Sequence, residues 1–279
     1  MIDYRDKTAV ITGAAGGIGL ALARRAVKEG MKLVLADIQR EKLNSAAARL
    51  GLHDDRLSLH TVDVSLERDV ARMADEAFSR FGEVHLLCNN AGVIMPRVTW
   101  EYCAADWEWV LGVNLWSVIH GVRHFVPRML KQESDSHVVN TASVAGLLST
   151  PGLAAYNVSK HGVVTLSETL YSELTAMKAR VGISLLCPAW VPTGIDRSDH
   201  NRQERFGALV PASDISVPYE DRMAKAVRSD RLTADDMADA VFEAVSENRF
   251  YIIPHDRIKG ALKLRMEDIL EARNPTPMN

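Results

Sequence analysis

The chain has 279 residues, of which 47% are hydrophobic and 25% are charged, so it contains enough apolar material for one large core. Its formal net charge is only −3 and no run of five or more Lys or Arg occurs, which argues against a binding surface for nucleic acid or an anionic membrane. No apolar run is long enough to span a bilayer and the start of the chain lacks the pattern of a secretory signal, so we expect a single-domain cytoplasmic protein that acts on a small molecule.

Short β-branched runs alternate with longer amphipathic stretches, which is the pattern of repeated βαβ units. Because right-handed crossovers place helices on both faces of a parallel sheet, this alternation predicts an α/β fold of the doubly wound Rossmann type with seven parallel strands. The last predicted helix begins with Thr233 and Asp236, which form a capping-box pattern. The predicted strands are 8–13, 32–37, 56–64, 84–90, 136–143, 182–189 and 250–254, and the predicted helices are 17–29, 40–50, 66–81, 105–132, 155–178 and 234–247.

The stretch 194–231 interrupts this alternation after the sixth predicted strand. It is long and polar, and it contains Gly207, Pro211 and Pro218. Long loops of this kind are usually functional, and open α/β sheets bind ligands at the carboxyl ends of their strands. We therefore predict that 194–231 is a substrate lid, with a surface loop of no function as the alternative.

The first strand leads directly into a glycine-rich turn, TGAAGGIG, which is followed by a helix. Glycines let the backbone approach a pyrophosphate closely, and the helix start offers unpaired N–H groups to an anion. A tight strand-to-helix turn can also need glycine for purely structural reasons. The residues of this turn that we predict at a dinucleotide site are Thr12, Gly13, Gly17, Ile18 and Gly19.

Asp37 ends the second predicted strand, where a dinucleotide site of this type carries an acidic residue. A carboxylate there can accept hydrogen bonds from both ribose hydroxyls and would repel the additional phosphate of NADP. Capping of the following helix is the structural alternative. The predicted cofactor is therefore NAD, while nearby Arg40 leaves NADP open, because an arginine can accommodate a ribose phosphate.

The histidines and cysteines do not form a recognisable metal-binding pattern. His120 and His124 are spaced as zinc ligands can be, but no third candidate ligand lies nearby in the sequence. We expect both on a helix surface or a subunit interface, and we predict no metal. Cys88, Cys103 and Cys187 lack paired spacing and are expected to be buried, reduced thiols.

Tyr156 and Lys160 lie four residues apart within a predicted helix, so both side chains project from one face. A neighbouring ammonium favours the phenolate and lowers the pKa of a tyrosine, which is otherwise too high for a base at neutral pH. This spacing is common by chance. It is accompanied here, in chain order, by the glycine-rich turn at 12–19, Asp63-Val64, the NNAG segment at 89–92, Asn114, Ser143 and the segment from Pro188 to Thr193.

Together these motifs, from about residue 6 to residue 254, resemble the short-chain dehydrogenase/reductase family in its single-domain form. The resemblance implies that Tyr156 is the general acid/base and that Ser143 holds the substrate oxygen. Lys160 would lower the pKa of the tyrosine and bind the nicotinamide ribose, and Asn114 would interrupt its helix to hold a water that links Lys160 to solvent. Further cofactor contacts implied by the resemblance are Asp63 and Val64 at the adenine, Asn90, Ala91 and Gly92 along the cleft, and Pro188, Val191 and Thr193 near the carboxamide.

The resemblance implies hydride transfer between NAD(H) and a secondary alcohol or ketone. One departure is Ala189, where the family usually has glycine, and the neighbouring Trp190 is either a wall of the substrate pocket or part of the core. The mainly apolar lining favours a bulky hydrophobic, aryl or steroid-like substrate. The residues expected to line the pocket are Met95, Pro96, Leu147, Leu148, Pro151, Leu153, Trp190 and the segment 194–231.

Three other functions share parts of this pattern. An NADPH-dependent ketoreductase belongs to the same family, and a non-catalytic NAD(H)-sensing protein uses the same fold but does not need the tyrosine–lysine pair. A sugar-nucleotide epimerase normally has a larger C-terminal lobe than the residues after the last predicted strand can form. The long predicted helices 105–132 and 155–178 resemble the subunit contacts of the family, which implies a homodimer or homotetramer.

Overall fold

The computed structural model describes residues 3–277, and at its centre lies a parallel sheet of seven strands. The strands are β1 (Thr8–Thr12), β2 (Lys32–Asp37), β3 (Leu57–Thr61), β4 (Leu86–Asn89), β5 (Ser136–Thr141), β6 (Val181–Leu186) and β7 (Tyr251–Ile252). Their order across the sheet is β3-β2-β1-β4-β5-β6-β7. The predicted Rossmann-type sheet is thereby confirmed, although most strands are shorter than predicted.

Within the described residues the helices are α1 (Gly17–Lys28), α2 (Arg40–Ala48), α3 (Glu67–Phe81), α4 (Ala104–Leu111), α5 (Ser117–Met129), α6 (Ala154–Ala176), α7 (Val217–Ser229), α8 (Ala234–Ser246) and α9 (Lys259–Leu270). The predicted helix 105–132 is divided by a π-helical turn, Gly112–Trp116. The capping box of Thr233 and Asp236 is formed at the start of α8. In residues 3–277 no helix has both the length and the apolar character needed to cross a membrane.

Two helices were not predicted from the sequence. In α7 only Met223 and Val227 are buried, and in α9 only Asp268 is buried. The sequence of α9 therefore lacks the apolar stripe by which an amphipathic helix is recognised. In α7, Pro218 indicates a loop in the sequence but lies in the first turn of the helix, where proline is tolerated. The segment 194–231, predicted as a loop, is thus partly helical, with α7 and two 3₁₀ turns at Ile195–Asn201 and Glu204–Phe206.

The sheet is covered on both faces. Alternate strand residues such as Val10 and Val34 contribute to a core shared with α3, α4, α5 and α6. Their neighbours, including Ile11 and Leu33, pack with α1 and α8 on the other face. Because successive side chains of a strand point to opposite faces, a sheet buried on both sides produces strands that are apolar throughout.

The strand order reverses between β1 and its neighbours β2 and β4. Crossovers from the two halves of the sheet run to opposite sides at this point, so a crevice opens beyond the carboxyl ends of these strands. The glycine-rich turn follows β1 and Asp37 ends β2, which places both at this crevice.

Some expectations about individual side chains were wrong. Cys88 and Cys187 are buried as expected, but Cys103 is exposed because it precedes the first turn of α4. His120 is buried rather than on a helix surface, and its ring packs against Trp116. His124 is hydrogen-bonded to Glu67 at 3.1 Å on the surface.

Candidate active site

A cleft of about 570 Å³ opens at the carboxyl end of the sheet. It extends from Asp37 at one end to Tyr156 and Trp190 at the other. Thr12, Gly19 and Asn114 are the predicted site residues that do not line it. The predicted residues that do line it are Gly13, Gly17, Ile18, Asp37, Asp63, Val64, Asn90, Ala91, Gly92, Ser143, Tyr156, Lys160, Pro188, Val191 and Thr193.

The glycine-rich turn packs closely against its surroundings. Gly17 has φ +51°, and a Cβ there would lie 2.9 Å from the Cβ of Thr193. A Cβ on Gly19 would lie only 2.1 Å from the carbonyl oxygen of Gly13, so Gly19 lets α1 begin directly against the turn. Gly19 therefore supports the shape of the cleft from behind rather than facing it.

Thr12 also acts behind the cleft. Its Oγ1 accepts hydrogen bonds from the backbone N–H groups of Asn90 (3.0 Å) and Ala91 (3.1 Å). The side-chain amide of Asn90 in turn donates to the carbonyl of Thr12 at 3.0 Å. These bonds fasten the segment after β4 to the end of β1, so that both border one cleft.

The carboxylate of Asp37 is held in place by two backbone N–H groups, from Ala15 (3.0 Å) and Gln39 (2.9 Å). It lines the cleft with lone pairs left for a ligand, since each carboxylate oxygen can accept more than one hydrogen bond. Lys42 also lines this end of the cleft, whereas Arg40, the cation noted in the sequence, does not. Lys42 lies on α2 only two residues beyond Arg40. Which of the two lines the cleft depends on the orientation of the helix, which the sequence alone does not give.

Tyr156 lies in the first turn of α6 and is buried against the cleft wall. Burial raises its pKa to about 12, while a side-chain hydrogen bond with Ser143 acts in the opposite direction. The Ser143 hydroxyl is itself positioned, because it accepts from the N–H of Ala145 at 3.1 Å and donates to the carbonyl of Pro188 at 3.3 Å. The phenol and the hydroxyl thus form one polar pair in a mainly apolar wall.

Lys160 is buried one turn further along α6, with its Nζ 5.7 Å from the centre of the Tyr156 ring. The Nζ donates to the carbonyl of Thr141 at 2.8 Å. Burial lowers the pKa of Lys160 to about 8, because an ammonium loses its hydration there. The expected lowering of the Tyr156 pKa by Lys160 is not found in the protein alone, where burial of the phenol is the larger effect.

Asn114 lies in the π-helical turn between α4 and α5 and is fully buried. Its Oδ1 accepts from the N–H of Val93 at 2.8 Å, and its Nδ2 donates to the carbonyl of Val93 at 2.9 Å. A Cβ built on Gly92 would lie 3.4 Å from Asn114 Oδ1 and 3.6 Å from Lys160 Nζ, so both groups lie behind the same backbone segment. The helix is interrupted at Asn114, as the family resemblance implied.

The end of the cleft around Tyr156 is apolar. Ile94, Ala145 and Leu153 pack with Tyr156, with Trp190 and Ile195 partly buried against them. Met223 and Val227 belong to the same cluster, so α7 closes this end from outside. Of the residues expected to line a substrate pocket, Leu153, Trp190 and part of 194–231 line the cleft; Met95, Pro96, Leu147, Leu148 and Pro151 do not.

Two features explain these errors. Met95 is buried in the main core and does not line the cleft, whereas its neighbour Ile94 does. Loop segments have no periodicity from which such orientations can be read. The residues of the cleft that sequence reasoning missed include Lys42, Ile94 and Ala145. From the predicted segment 194–231, the residues that line the cleft include Ile195, Arg197, Ser198, His200, Asn201 and Gln203.

Comparisons with known proteins agree with this architecture. Two curated relatives are the "CLA biosynthesis dehydrogenase/reductase" of Lactiplantibacillus plantarum, 32% identical over 97% of this chain and 95% of the relative, and the "1-deoxy-11-beta-hydroxypentalenate dehydrogenase" of Streptomyces avermitilis, 33% identical over 95% of this chain and 90% of the relative. A solved structure, a short chain dehydrogenase/reductase from Burkholderia phymatum in complex with NAD, is 46% identical, covers 100% of both chains and superposes with a TM-score of 0.97.

A family model described as short chain dehydrogenase matches residues 7–204. This range contains the glycine-rich turn, Asp37, Ser143, Tyr156 and Lys160. The match extends over more than half of the chain, and both curated relatives match nearly all of it. The chain therefore belongs to the short chain dehydrogenase family of oxidoreductases.

Proposed function

We propose that this protein is an NAD-dependent oxidoreductase that transfers a hydride between nicotinamide and a secondary alcohol or its ketone. The observation that carries the proposal is the convergence of Tyr156, Ser143 and Lys160 on the same cleft that Asp37 lines at its other end. A dinucleotide is long enough to contact both ends, and a protein that only senses NAD(H) has no need for the tyrosine at the apolar end.

The residues of the cleft fit a bound NAD. The glycine-rich turn leaves backbone room for a pyrophosphate, and Asp37 presents a fixed carboxylate for the ribose hydroxyls. The similar Burkholderia phymatum structure contains NAD. Lys42 in the same cleft supports the second candidate, an NADPH-dependent ketoreductase, because its ammonium could pair with a ribose phosphate.

In the proposed reaction Tyr156 exchanges a proton with the substrate oxygen, and Ser143 holds that oxygen through its hydroxyl. When bound, the cofactor supplies the hydride chemistry and, in its oxidised form, a positive ring charge that favours the phenolate. Mainly through burial, the pKa of Tyr156 in the protein by itself is raised to about 12, so the phenol carries the proton that a ketone would receive. The charged cofactor ring would have to lower this pKa for efficient proton exchange near neutral pH. Lys160 would contact the nicotinamide ribose, and Asn114 would anchor the proton path behind it.

The apolar walls around Tyr156 support a bulky hydrophobic, aryl or steroid-like substrate. The relatives point the same way, since one is named for a hydroxypentalenate.

Exposed apolar side chains on the stretch from the π-helical turn to α6, namely Trp116, Val158 and Tyr171, support the homodimer or homotetramer that the family resemblance implies.

The test is steady-state turnover by the purified protein of a panel of aryl, terpenoid and aliphatic secondary alcohols, with NAD and NADP at equal concentrations. For the best substrate, Tyr156→Phe should lower kcat by about a hundred- to ten-thousandfold, the usual contribution of a general acid/base, and leave NADH affinity nearly unchanged. Tyr251→Phe is the matched control, since its phenol hydroxyl bonds to Glu168 on the surface outside the cleft. Full activity of Tyr156→Phe, or faster turnover with NADP than with NAD, would contradict the proposal.

A further inference from the structure

Residues 195–207, which we call the flap, follow β6 and contain the 3₁₀ turns Ile195–Asn201 and Glu204–Phe206. His200, Asn201 and Gln203 from the flap line the same cleft as Asp37 and Asp63. The flap was predicted as part of a lid over the substrate. Part of the flap, however, lies at the Asp37 end of the cleft, opposite Tyr156.

The flap is bonded to both loops that border this end. The guanidinium of Arg205 forms an ion pair with Asp63 at 2.7 Å and donates to the hydroxyl of Ser65 at 2.6 Å. The side-chain amide of Gln39 donates to Asn201. Gln39 follows β2 and Asp63 follows β3, which are neighbouring strands in one half of the sheet, whereas the flap itself follows β6 in the other half. The flap therefore crosses the mouth of the cleft to reach them.

The base of the flap, at Arg202, is anchored by buried contacts, whereas its tip, at Arg205, is accessible. Arg202 is buried, and its guanidinium donates to the carbonyls of Phe206 (2.7 Å) and Gly207 (3.0 Å), which fixes the shape of the second turn. The same guanidinium pairs with Asp106 at 2.9 Å. The Arg205 side chain is 40% exposed, so its contacts with Asp63 and Ser65 can break and reform while the buried contacts of Arg202 stay in place.

We propose that the flap is a part of the cofactor site and closes over the adenosine half of NAD(H). This inference rests on the proposed function. Asn201 and Gln203 provide polar groups against the adenosine, and Arg205 is a positioning residue that keeps the flap closed through Asp63. A dinucleotide beneath the flap leaves only when the Gln39 and Asp63 contacts open. The flap thus sets the rate of cofactor release, while α7 covers the substrate end.

The test is the dissociation rate of NADH, followed by stopped-flow fluorescence after displacement with excess NAD. Asn201→Ala and Arg205→Ala should each accelerate release about two- to fivefold, the range expected for exposed contacts, and the double variant about tenfold. The wild-type rate should increase with ionic strength because salt screens the Arg205–Asp63 pair, and the Arg205→Ala rate should depend on salt much less. Arg205→Lys retains the charge and should restore most of the wild-type rate.

Arg180→Ala is the matched control, because Arg180 forms an exposed ion pair with Asp135 at 2.9 Å that lies outside the cleft. It should release NADH at the wild-type rate. A double variant that keeps the wild-type release rate and thermal stability would contradict the proposal that the flap limits cofactor release. The proposed dehydrogenase function would be unaffected by that result. Failure of the wild-type protein to bind NADH would contradict both the proposed function and the proposed role of the flap in the cofactor site. If the double variant does not fold, the rate and salt dependence of Arg205→Lys and Arg205→Ala decide the matter.

Discussion

Replacement of Arg202 by methionine tests the most deeply buried ion pair at the base of the flap. The Arg202 side chain is 4% exposed and that of Asp106 is 9% exposed, and the guanidinium also lies 5.3 Å from the centre of the Trp109 ring. Methionine retains much of the apolar stem of arginine but removes the charge and all hydrogen-bond donors. The change therefore leaves the Asp106 carboxylate without its cation.

The expected effect is large. Removal of one partner of a buried ion pair costs about 3–5 kcal/mol, because the remaining charge is left without compensation. The carbonyls of Phe206 and Gly207 also lose their donor, but both residues are accessible enough for water to replace it. The N–H of Cys103 still donates to Asp106 at 3.0 Å, which compensates the carboxylate only in part. We therefore expect Arg202→Met to lower the free energy of unfolding by about 3–5 kcal/mol, a large fraction of the stability of a typical domain.

The assay is urea unfolding of the wild type, Arg202→Met, Asp106→Asn and the double variant. Asp106→Asn leaves the Arg202 cation buried without its anion, so it should also destabilise. The double variant removes both charges and should be less destabilised than the sum of the single changes, as coupled sites are. A loss below about 1 kcal/mol for Arg202→Met, which is the size of an exposed pair, or strictly additive effects, would refute the reasoning.

Two further predictions concern groups beside the Tyr156 end of the cleft. Burial lowers the pKa of Lys160 to about 8 from an unfolded value of 10.5. Between these two pH values the unfolded chain binds more protons than the folded protein, so the contribution of Lys160 to the free energy of unfolding rises with pH. Between pH 7.5 and 9.5 the wild type should gain about 2 kcal/mol in unfolding free energy relative to Lys160→Met, and a pH-independent difference by urea titration would contradict this. His255 accepts a hydrogen bond through Nδ1 from the N–H of Ala189 at 3.1 Å, and Ala189 lines the cleft. His255→Phe should leave that N–H without its acceptor, at a cost of about 1–3 kcal/mol, and raise KM for NAD(H) more than it lowers kcat; an unchanged KM would show that Ala189 is positioned by other contacts.

Local patterns in the sequence were sufficient to predict most of the fold. The strands carry continuous apolar runs because both faces of the sheet are covered, and such runs are visible without any tertiary information. The capping box at Thr233 was also predicted, whereas the interruption of the helix at Asn114 was implied only by the family resemblance and not by the periodicity, which predicted one helix over 105–132. In contrast, α9 has no apolar stripe that would indicate a helix, and Pro218 in the first turn of α7 indicates a loop in the sequence.

The order of the chemical motifs was likewise visible in the sequence, because each motif lies at the end of a predicted strand or on one helix face. The spacing of Tyr156 and Lys160 placed them on the same side of α6. The sequence could not predict the protonation of either group. Burial depends on what the rest of the chain packs around α6, and in this protein it raises the pKa of the phenol and lowers that of the ammonium.

What the sequence by itself determined is therefore the sheet and the glycine-rich turn, since both follow from periodicity and backbone conformation, while the residues expected around the cleft were implied by the family resemblance. Only the tertiary structure decided the course of the flap and the pairing of Arg202 with Asp106 and of Arg205 with Asp63. Those partners are about 100 residues or more apart in the chain. Long-range contacts between irregular segments leave no periodic trace, so they become visible only when the folded backbone brings the segments together.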